Sequence, residues 1–335
     1  MSERRRATIG CVNRVRWVPS ALAWGVLVLC GVPALAITLS RALASTDLRA
    51  VRLAAFAPFG VGLYALCLVA VLVLVWLAAG HARIRLAVGA GVVAMLLAVH
   101  LAWQAPFYAG ARATSAGEPL TVMTTNLFEG KGDTDAVVGA VRAHKVDVLA
   151  VQEITPEAFA KLARALRDQL PYRIGAAAPG TRGTMLFADQ PITKSRRIDT
   201  SMGSWMADVG EWRVVVAHPA APTVASWPAE QELVIKEAAA AEPDLVLGDL
   251  NASLDHHTVR RLLDETQTQD AARASNAGWQ PTWPTEGFAG VPLPPSAAID
   301  HVLIGDSFVA LATETVEVPG SDHLALVAYL GSPEE

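Results

Sequence analysis

Three uncharged apolar runs restrict this chain more than anything else in it. Val18 to Leu39, Leu53 to Gly80 and Leu86 to Ala111 contain no Lys, Arg, Asp or Glu. A helix needs about 20 residues to cross roughly 30 Å of hydrocarbon, and each run is long enough. Within lipid the backbone must satisfy its own polar groups, which leaves the helix as the form such a run can take, and Pro19 and Pro33 in the first run are tolerated there. Hydrophobic residues make up 52% of the chain and charged residues 18%, and these runs supply the excess. Residues 1–111 are therefore expected to form a tail and three transmembrane helices, at about 18–39, 56–80 and 86–108. Arg4, Arg5 and Arg6 before the first run also fit a signal peptide, but two further spans favour an anchor.

The tail carries Arg4, Arg5, Arg6, Arg14 and Arg16 against Glu3, a bias that keeps an N-terminus in the cytoplasm. Three crossings then place everything after Ala111 outside it. Arg41, Arg49 and Arg52, set against Asp47 in the first loop, weigh the other way. The expectation is a multi-pass protein of the cell membrane with its C-terminal part extracytoplasmic. Trp103 and Tyr108 suit an interfacial aromatic belt, and His100 near a helix end is read as an interface residue. With no acid or Lys inside the spans, nothing marks an ion path. Cys11, Cys30 and Cys67 all precede Ala111, so the later part has neither a disulfide framework nor a thiolate metal site.

Residues 112–119 read as a linker, and 120–331 as one α/β domain. Leu120–Thr125, Val146–Gln152, Thr184–Ala188, Trp212–His218, Leu245–Leu247, Ile299–Ile304 and Leu324–Leu330 read as strands. Thr134–Ala143, Pro156–Leu170, Ala229–Ala241 and Thr258–Glu265 read as helices, and Gly287–Ser296 as an irregular loop. From Gln104 onward there are 17 Lys plus Arg and 30 Asp plus Glu, a net charge of −13. A protein that grips long polyanions usually shows a basic footprint, and this part has none.

Chemistry-bearing residues recur where the strands end. Val246-Leu247-Gly248 leads to Asp249 and Asn251, which share one side by strand alternation. Asn126 follows the first strand, Gln152-Glu153 ends the next, His218 follows Val214 to Ala217, Asp300-His301 opens another, and Ser321-Asp322-His323 precedes the last. Together the strings Asn126-Leu127, Asp147 to Glu153, His218, Gly248-Asp249-Leu250-Asn251, Pro281-Thr282-Trp283, Ile299-Asp300-His301-Val302 and Ser321-Asp322-His323 resemble, in type and order, the endonuclease/exonuclease/phosphatase superfamily. These are metal-dependent phosphoesterases, including deoxyribonucleases, apurinic endonucleases, inositol polyphosphate phosphatases and neutral sphingomyelinases.

The resemblance implies a four-layer α/β sandwich with two packed sheets and a site at one rim. It implies Glu153 as principal metal ligand with Asn126 beside it and Asp322 as a further ligand. It also implies that Asp249 orients or deprotonates the attacking water and Asn251 stabilises phosphoryl oxygens. His323 would meet the phosphate with Asp300 fixing its tautomer, and His218 would serve the leaving-group side. The implied cofactor is Mg2+, with Mn2+ or Ca2+ as substitutes, since a hard cation needs few carboxylates. Trp283 is expected to support the loop that carries the site. His256 and His257 read as a solvated loop, and His81, His144 and His301 as equally without function.

Two departures bear on substrate. Phe128 stands where many relatives carry a second acidic ligand, and Ala188-Asp189 stands where Ser-Arg is common, with Arg182 upstream as a replacement cation. The reading is a membrane-anchored phosphoesterase favouring a lipid or small-molecule phosphodiester. An extracellular nuclease, or an inactive domain binding a phosphorylated ligand or a protein, stand as alternatives. No protein partner is implied.

Overall fold

A computed structural model describes residues 3–110, 113–115, 119–287 and 291–333, with side chains described from Trp17. Much of the expected linker, the tip of the loop at 288–290 and the side chains of the tail arginines lie outside the described residues. The chain divides into two compact units, Met1–Ala44 with Phe56–Ala105, and Ser45–Ala55 with Pro106–Glu335.

The first unit holds α1 (Glu3–Ala42), α3 (Gly60–Leu77) and α4 (Gly80–Gln104), while α2 (Leu48–Ala54) belongs to the second. Three helical stretches, Trp17–Ala42, Ala57–Leu77 and Gly80–Phe107, are long and apolar enough to cross a membrane. His100, expected as an interface residue, is instead fully buried among these helices. Its Nδ1 lies 3.0 Å from the Ala57 carbonyl and its Nε2 3.0 Å from Thr38 Oγ1, which also meets Tyr64 Oη at 2.7 Å. The ring thus links the turn at the start of α3 to a Thr38–Tyr64 pair, in which the Thr38 hydroxyl also reaches Ala34 O, a polar network inside an apolar bundle.

In the second unit two six-stranded mixed sheets pack face to face. Following α2, the elements are β1 (Leu120–Asn126), α5 (Thr134–Ala143), β2 (Val148–Gln152), α6 (Pro156–Ala165), β3 (Tyr172–Ala176), β4 (Thr184–Ala188), β5 (Ile192–Ile198), β6 (Ser204–Val209), β7 (Trp212–Val216), α7 (Trp227–Ala239), β8 (Leu245–Asp249), α8 (His257–Thr266), β9 (Gln269–Asp270), α9 (Ala271–Ala274), β10 (Asp300–Ile304), β11 (Val309–Glu317) and β12 (Leu324–Gly331). The sheet orders are β11-β12-β1-β2-β4-β3 and β5-β6-β7-β8-β10-β9.

Alternation assigns each strand residue to a layer. Val148 and Ala150 of β2 join Leu245 and Leu247 of β8 in the central core, while Leu149 and Val151 pack outward with Val137, Val141 and Leu162 from α5 and α6. Val246 packs outward with Val234, Ile235 and Leu262 from α7 and α8. This is the four-layer sandwich the motifs imply. Val51 of α2 is buried in that last layer beside Trp227, Leu250 and Ala252, so a segment lying between two apolar spans in the sequence completes the helical layer of the second sheet. Gly278 N–H donates to Phe107 O at 2.9 Å, and Trp279 N–H to Tyr108 Oη at 3.3 Å.

Candidate active site

Strand direction brings the polar strand ends together. β1 runs parallel to β2 and antiparallel to β12, so Asn126, Glu153 and the Ser321-Asp322-His323 approach to β12 share one rim. In the second sheet β10 runs antiparallel to β8 with Asp300 opposite Asp249. Gly248 has φ +139°, and a Cβ there would sit 2.2 Å from Ala217 O, so only glycine allows β8 this close to the His218 segment. Glu153 and Asn251 at the rim adopt left-handed φ of 53° and 49°, uncommon for side-chain-bearing residues.

Asp249 is the hub. Its Oδ1 accepts the Asn251 N–H at 2.8 Å, and its Oδ2 accepts Asn126 Nδ2–H at 3.1 Å. The same Oδ2 lies 3.8 Å from His323 Nε2 and 3.8 Å from His218 Nε2. His323 Nδ1 meets Asp300 Oδ2 at 2.8 Å. Ser321 Oγ accepts the His323 N–H and donates to Asn126 O, which ties this loop to β1. Asn126 Nδ2 also reaches Glu153 Oε1 at 3.2 Å, and Glu129 N–H donates to Glu153 Oε2 at 2.7 Å. Asp322 Oδ2 accepts Trp283 Nε1–H at 3.1 Å, so Trp283 does support the loop, and Asp322 Oδ1 lies 3.9 Å from His323 Nε2. Asn251 spends one amide hydrogen on Pro219 O at 3.0 Å.

Burial sets the charges. It pushes the Asp249 carboxyl up to about 7, reinforced by the Asp300 charge and opposed by His323. For His323 burial pulls downward, but the charges of Asp300 and Asp249 and the Asp300 hydrogen bond outweigh it and lift the ring to about 10. Burial, with the His323 charge behind it, depresses His218 to about 3, so this wholly enclosed ring is neutral. Burial also raises Glu153, against the hydrogen bond from Asn126.

Asp249, Asp300 and His323 offer ligand-type atoms within 4.8 Å of one another, a grouping that could hold an ion. A protonated His323 has no lone pair to give, so the trio fits proton handling better than an ion cage. A hard cation nevertheless suits the surroundings. Among the described residues Glu153, Asp249, Asp300 and Asp322 pair with no Lys or Arg, leaving four carboxyl groups against one imidazolium. Asp300 Oδ1 is also buried without a hydrogen-bond partner. Oxygen-rich donors of this kind fit magnesium. Asn126 turns Nδ2 toward the carboxylates while its Oδ1 accepts Phe128 N–H at 2.9 Å, so it bridges Glu153 and Asp249 in this arrangement.

Two histidines differ from their sequence reading. His256 is buried, its Nδ1 accepting Ser253 N–H at 2.9 Å, because it stands at the N-cap position of α8. His301 is buried too, with Nδ1 3.0 Å from Asp270 Oδ2 and Nε2 2.9 Å from Ala252 O.

The Endonuclease/Exonuclease/phosphatase family model matches residues 123–323. The chain belongs to that family. Its members hydrolyse phosphoester bonds, and the matched stretch runs from β1 to His323, taking in every strand-end residue described above. Among solved structures the chain is similar to TDP2 of D. rerio complexed with single strand DNA product, at 12% identity and TM-score 0.50, over 64% of this chain and 100% of that one. It is also similar to an endonuclease/exonuclease/phosphatase from Beutenbergia cavernae DSM 12333, at 18% identity and TM-score 0.48, over 65% of this chain and 72% of that one. A third is Sphingomyelinase C from Streptomyces griseocarneus, at 17% identity and TM-score 0.45, over 64% and 99%. No curated protein matches the chain.

Proposed function

We propose that this chain is a membrane-anchored, divalent-metal-dependent phosphodiesterase whose catalytic unit stands outside the cytoplasm and acts on a lipid or small-molecule phosphodiester. The observation that carries the reading is Asp249 Oδ2 within 3.8 Å of His323, whose other nitrogen is held 2.8 Å from Asp300. Asp249, with its proton affinity raised to about 7, takes the proton of an attacking water near neutral pH. His323, kept charged by Asp300, donates its Nε2–H to the developing negative charge on phosphorus-bound oxygen. Asn251 holds one amide hydrogen on Pro219 O and turns the other toward Met202 Sδ at 4.0 Å, a weak acceptor that a second phosphoryl oxygen would replace. His218, neutral and buried, gives Asp249 a polar neighbour without adding charge. Glu153 and Asp322 would hold magnesium, with Asn126 alongside after a half-turn of its amide. When bound, the cation supplies Lewis acidity toward the phosphoryl group.

The net charge of −13 after Gln104 supports a small or lipid diester over long nucleic acid, and three apolar helices in the same chain support a substrate at a membrane. The test uses the full chain in lipid nanodiscs, because Ser45–Ala55 belongs to the catalytic unit. Phospholipid, sphingolipid, small phosphodiester and DNA substrates are compared with magnesium and with chelator. Hydrolysis that needs the cation and falls about 100-fold or more in Glu153→Gln, with cation binding lost by calorimetry, is expected. Chelator-insensitive turnover, or no turnover on the whole panel, would reject the proposal.

A further inference from the structure

The segment Leu250-Asn251-Ala252 offers three consecutive backbone carbonyls, and each accepts an N–H from a different buried side chain. Gln231 Nε2 donates to Leu250 O at 2.7 Å, Trp227 Nε1 to Asn251 O at 3.2 Å, and His301 Nε2 lies 2.9 Å from Ala252 O. A carbonyl oxygen can only accept, so His301 Nε2 carries hydrogen. Its Nδ1 faces Asp270 Oδ2 at 3.0 Å, and that carboxylate already accepts the Arg273 N–H through its other oxygen. With an acceptor at each nitrogen, the His301 ring is the doubly protonated form.

These bonds do something particular. Asn251 is left-handed, with φ 49°, and its own N–H is turned inward onto Asp249 Oδ1. In that conformation its carbonyl and those flanking it point away from the rim into the packed layer beneath α7, where an unpaired carbonyl would be destabilising. Three donors from two elements meet them. The chain could otherwise relax to a right-handed conformation that swings the Asn251 amide off the rim and frees Asp249 Oδ1.

We propose that Trp227, Gln231 and His301 are positioning residues that clamp this turn, so that Asn251 is held strained and Asp249 keeps a single orientation. None of the three contributes to the rim itself, and only His301 belongs to a strand-end motif, where it follows Asp300 and faces the other side of β10. The consequence for catalysis rests on the phosphoesterase reading; the clamp itself does not.

Trp227→Phe removes one N–H and keeps an aromatic ring, and Gln231→Met removes another while keeping length. In full-length protein in nanodiscs, hydrogen–deuterium exchange of the peptide containing residues 249–253 should quicken roughly thirtyfold in the double variant, the factor expected for losing two net hydrogen bonds. Exchange across β1, β2 and β12 should not change. Unchanged exchange at 249–253, or an equal increase throughout the unit, would overturn the clamp. Where turnover is measurable, kcat should fall about tenfold with KM held within about twofold, and the same substitutions in an Asn251→Ala background should cost no more than about twofold. An undiminished loss in that background would show a merely structural role. For His301, nitrogen-15 shifts of an imidazolium are expected at neutral pH, and a pattern showing Nε2 without hydrogen would remove it from the clamp. A wild-type chain that hydrolyses nothing would defeat the functional proposal and leave exchange to decide the clamp.

Discussion

Replacing Asp300 by Asn tests the proton-handling trio with little change in shape. The carboxylate sits 2.8 Å from His323 Nδ1, and both groups are buried. A hydrogen bond to a charged group is worth about 1.5–3 kcal/mol, so its loss should lower kcat about 10- to 150-fold where His323 remains protonated. A second effect depends on pH. Asp300 is the first of the influences that lift His323 against burial, to about 10, and without it the ring falls toward the ordinary value of about 6.5. The charged form is the one that donates Nε2–H, so the variant should lose activity as pH rises. Between pH 6 and 8 the cationic fraction of a ring at about 6.5 drops about 25-fold, while that of a ring near 10 scarcely moves. Asp300 also raises Asp249, behind burial, so the variant's acid limb should shift to lower pH. The assay is kcat and kcat/KM for wild type and Asp300→Asn from pH 5.5 to 9, with melting curves to confirm folding. The deficit should widen roughly 25-fold or more across pH 6 to 8. A deficit constant to within about threefold would refute the claim that Asp300 acts by keeping His323 charged.

Two further outcomes concern how the fold holds the rim. Val51→Asp should expose the α2 seam: losing valine burial and placing a charge against Trp227 and Leu250 costs ~3 kcal/mol or more, read as faster proteolysis at 45–55 and a melting point lowered by about 6–12 °C. Arg49→Ser, on the exposed side of the same helix, should stay within about 0.5 kcal/mol of wild type, and equal losses in both would show that α2 is not part of the domain. Gly248→Ala meets a φ of +139° and the Ala217 carbonyl at 2.2 Å, so it should cost about 3 kcal/mol or more; a melting point unchanged from wild type would show that β8 has room to shift.

What could be read in the sequence follows largely from where each strand lies in its sheet, although interior β6, with its mixed Ser-Trp-Met-Ala-Asp-Val, was not expected either. β2, β4, β8 and β10 are interior and wholly buried, and their sequences are the short apolar runs that periodicity detects. β3, β5, β9 and β11 are the four edges, and none was expected. An edge strand has a single neighbour and much exposed surface, so polar residues suffice, as in Ile-Thr-Lys-Ser-Arg-Arg-Ile of β5, where five consecutive residues are exposed. Since Asn126, Glu153, Asp249 and Asp300 stand at the ends of interior strands, the best-read elements were the ones bearing chemistry.

The groups behind the rim have no such marker. Trp227 lies two residues before the expected start of its helix at Ala229, because Pro228 looks like a boundary while a helix accepts Pro in its first turn. His301 shares a motif with Asp300 but, one residue along the strand, must face the opposite side, so nothing in the motif reveals that it reaches the carbonyl of Ala252. A polar side chain in a strand interior is therefore ambiguous until the carbonyl pattern of its neighbours is known. That ambiguity is the physical reason the groups holding Asn251 became visible only with the backbone of residues 250–252 in place.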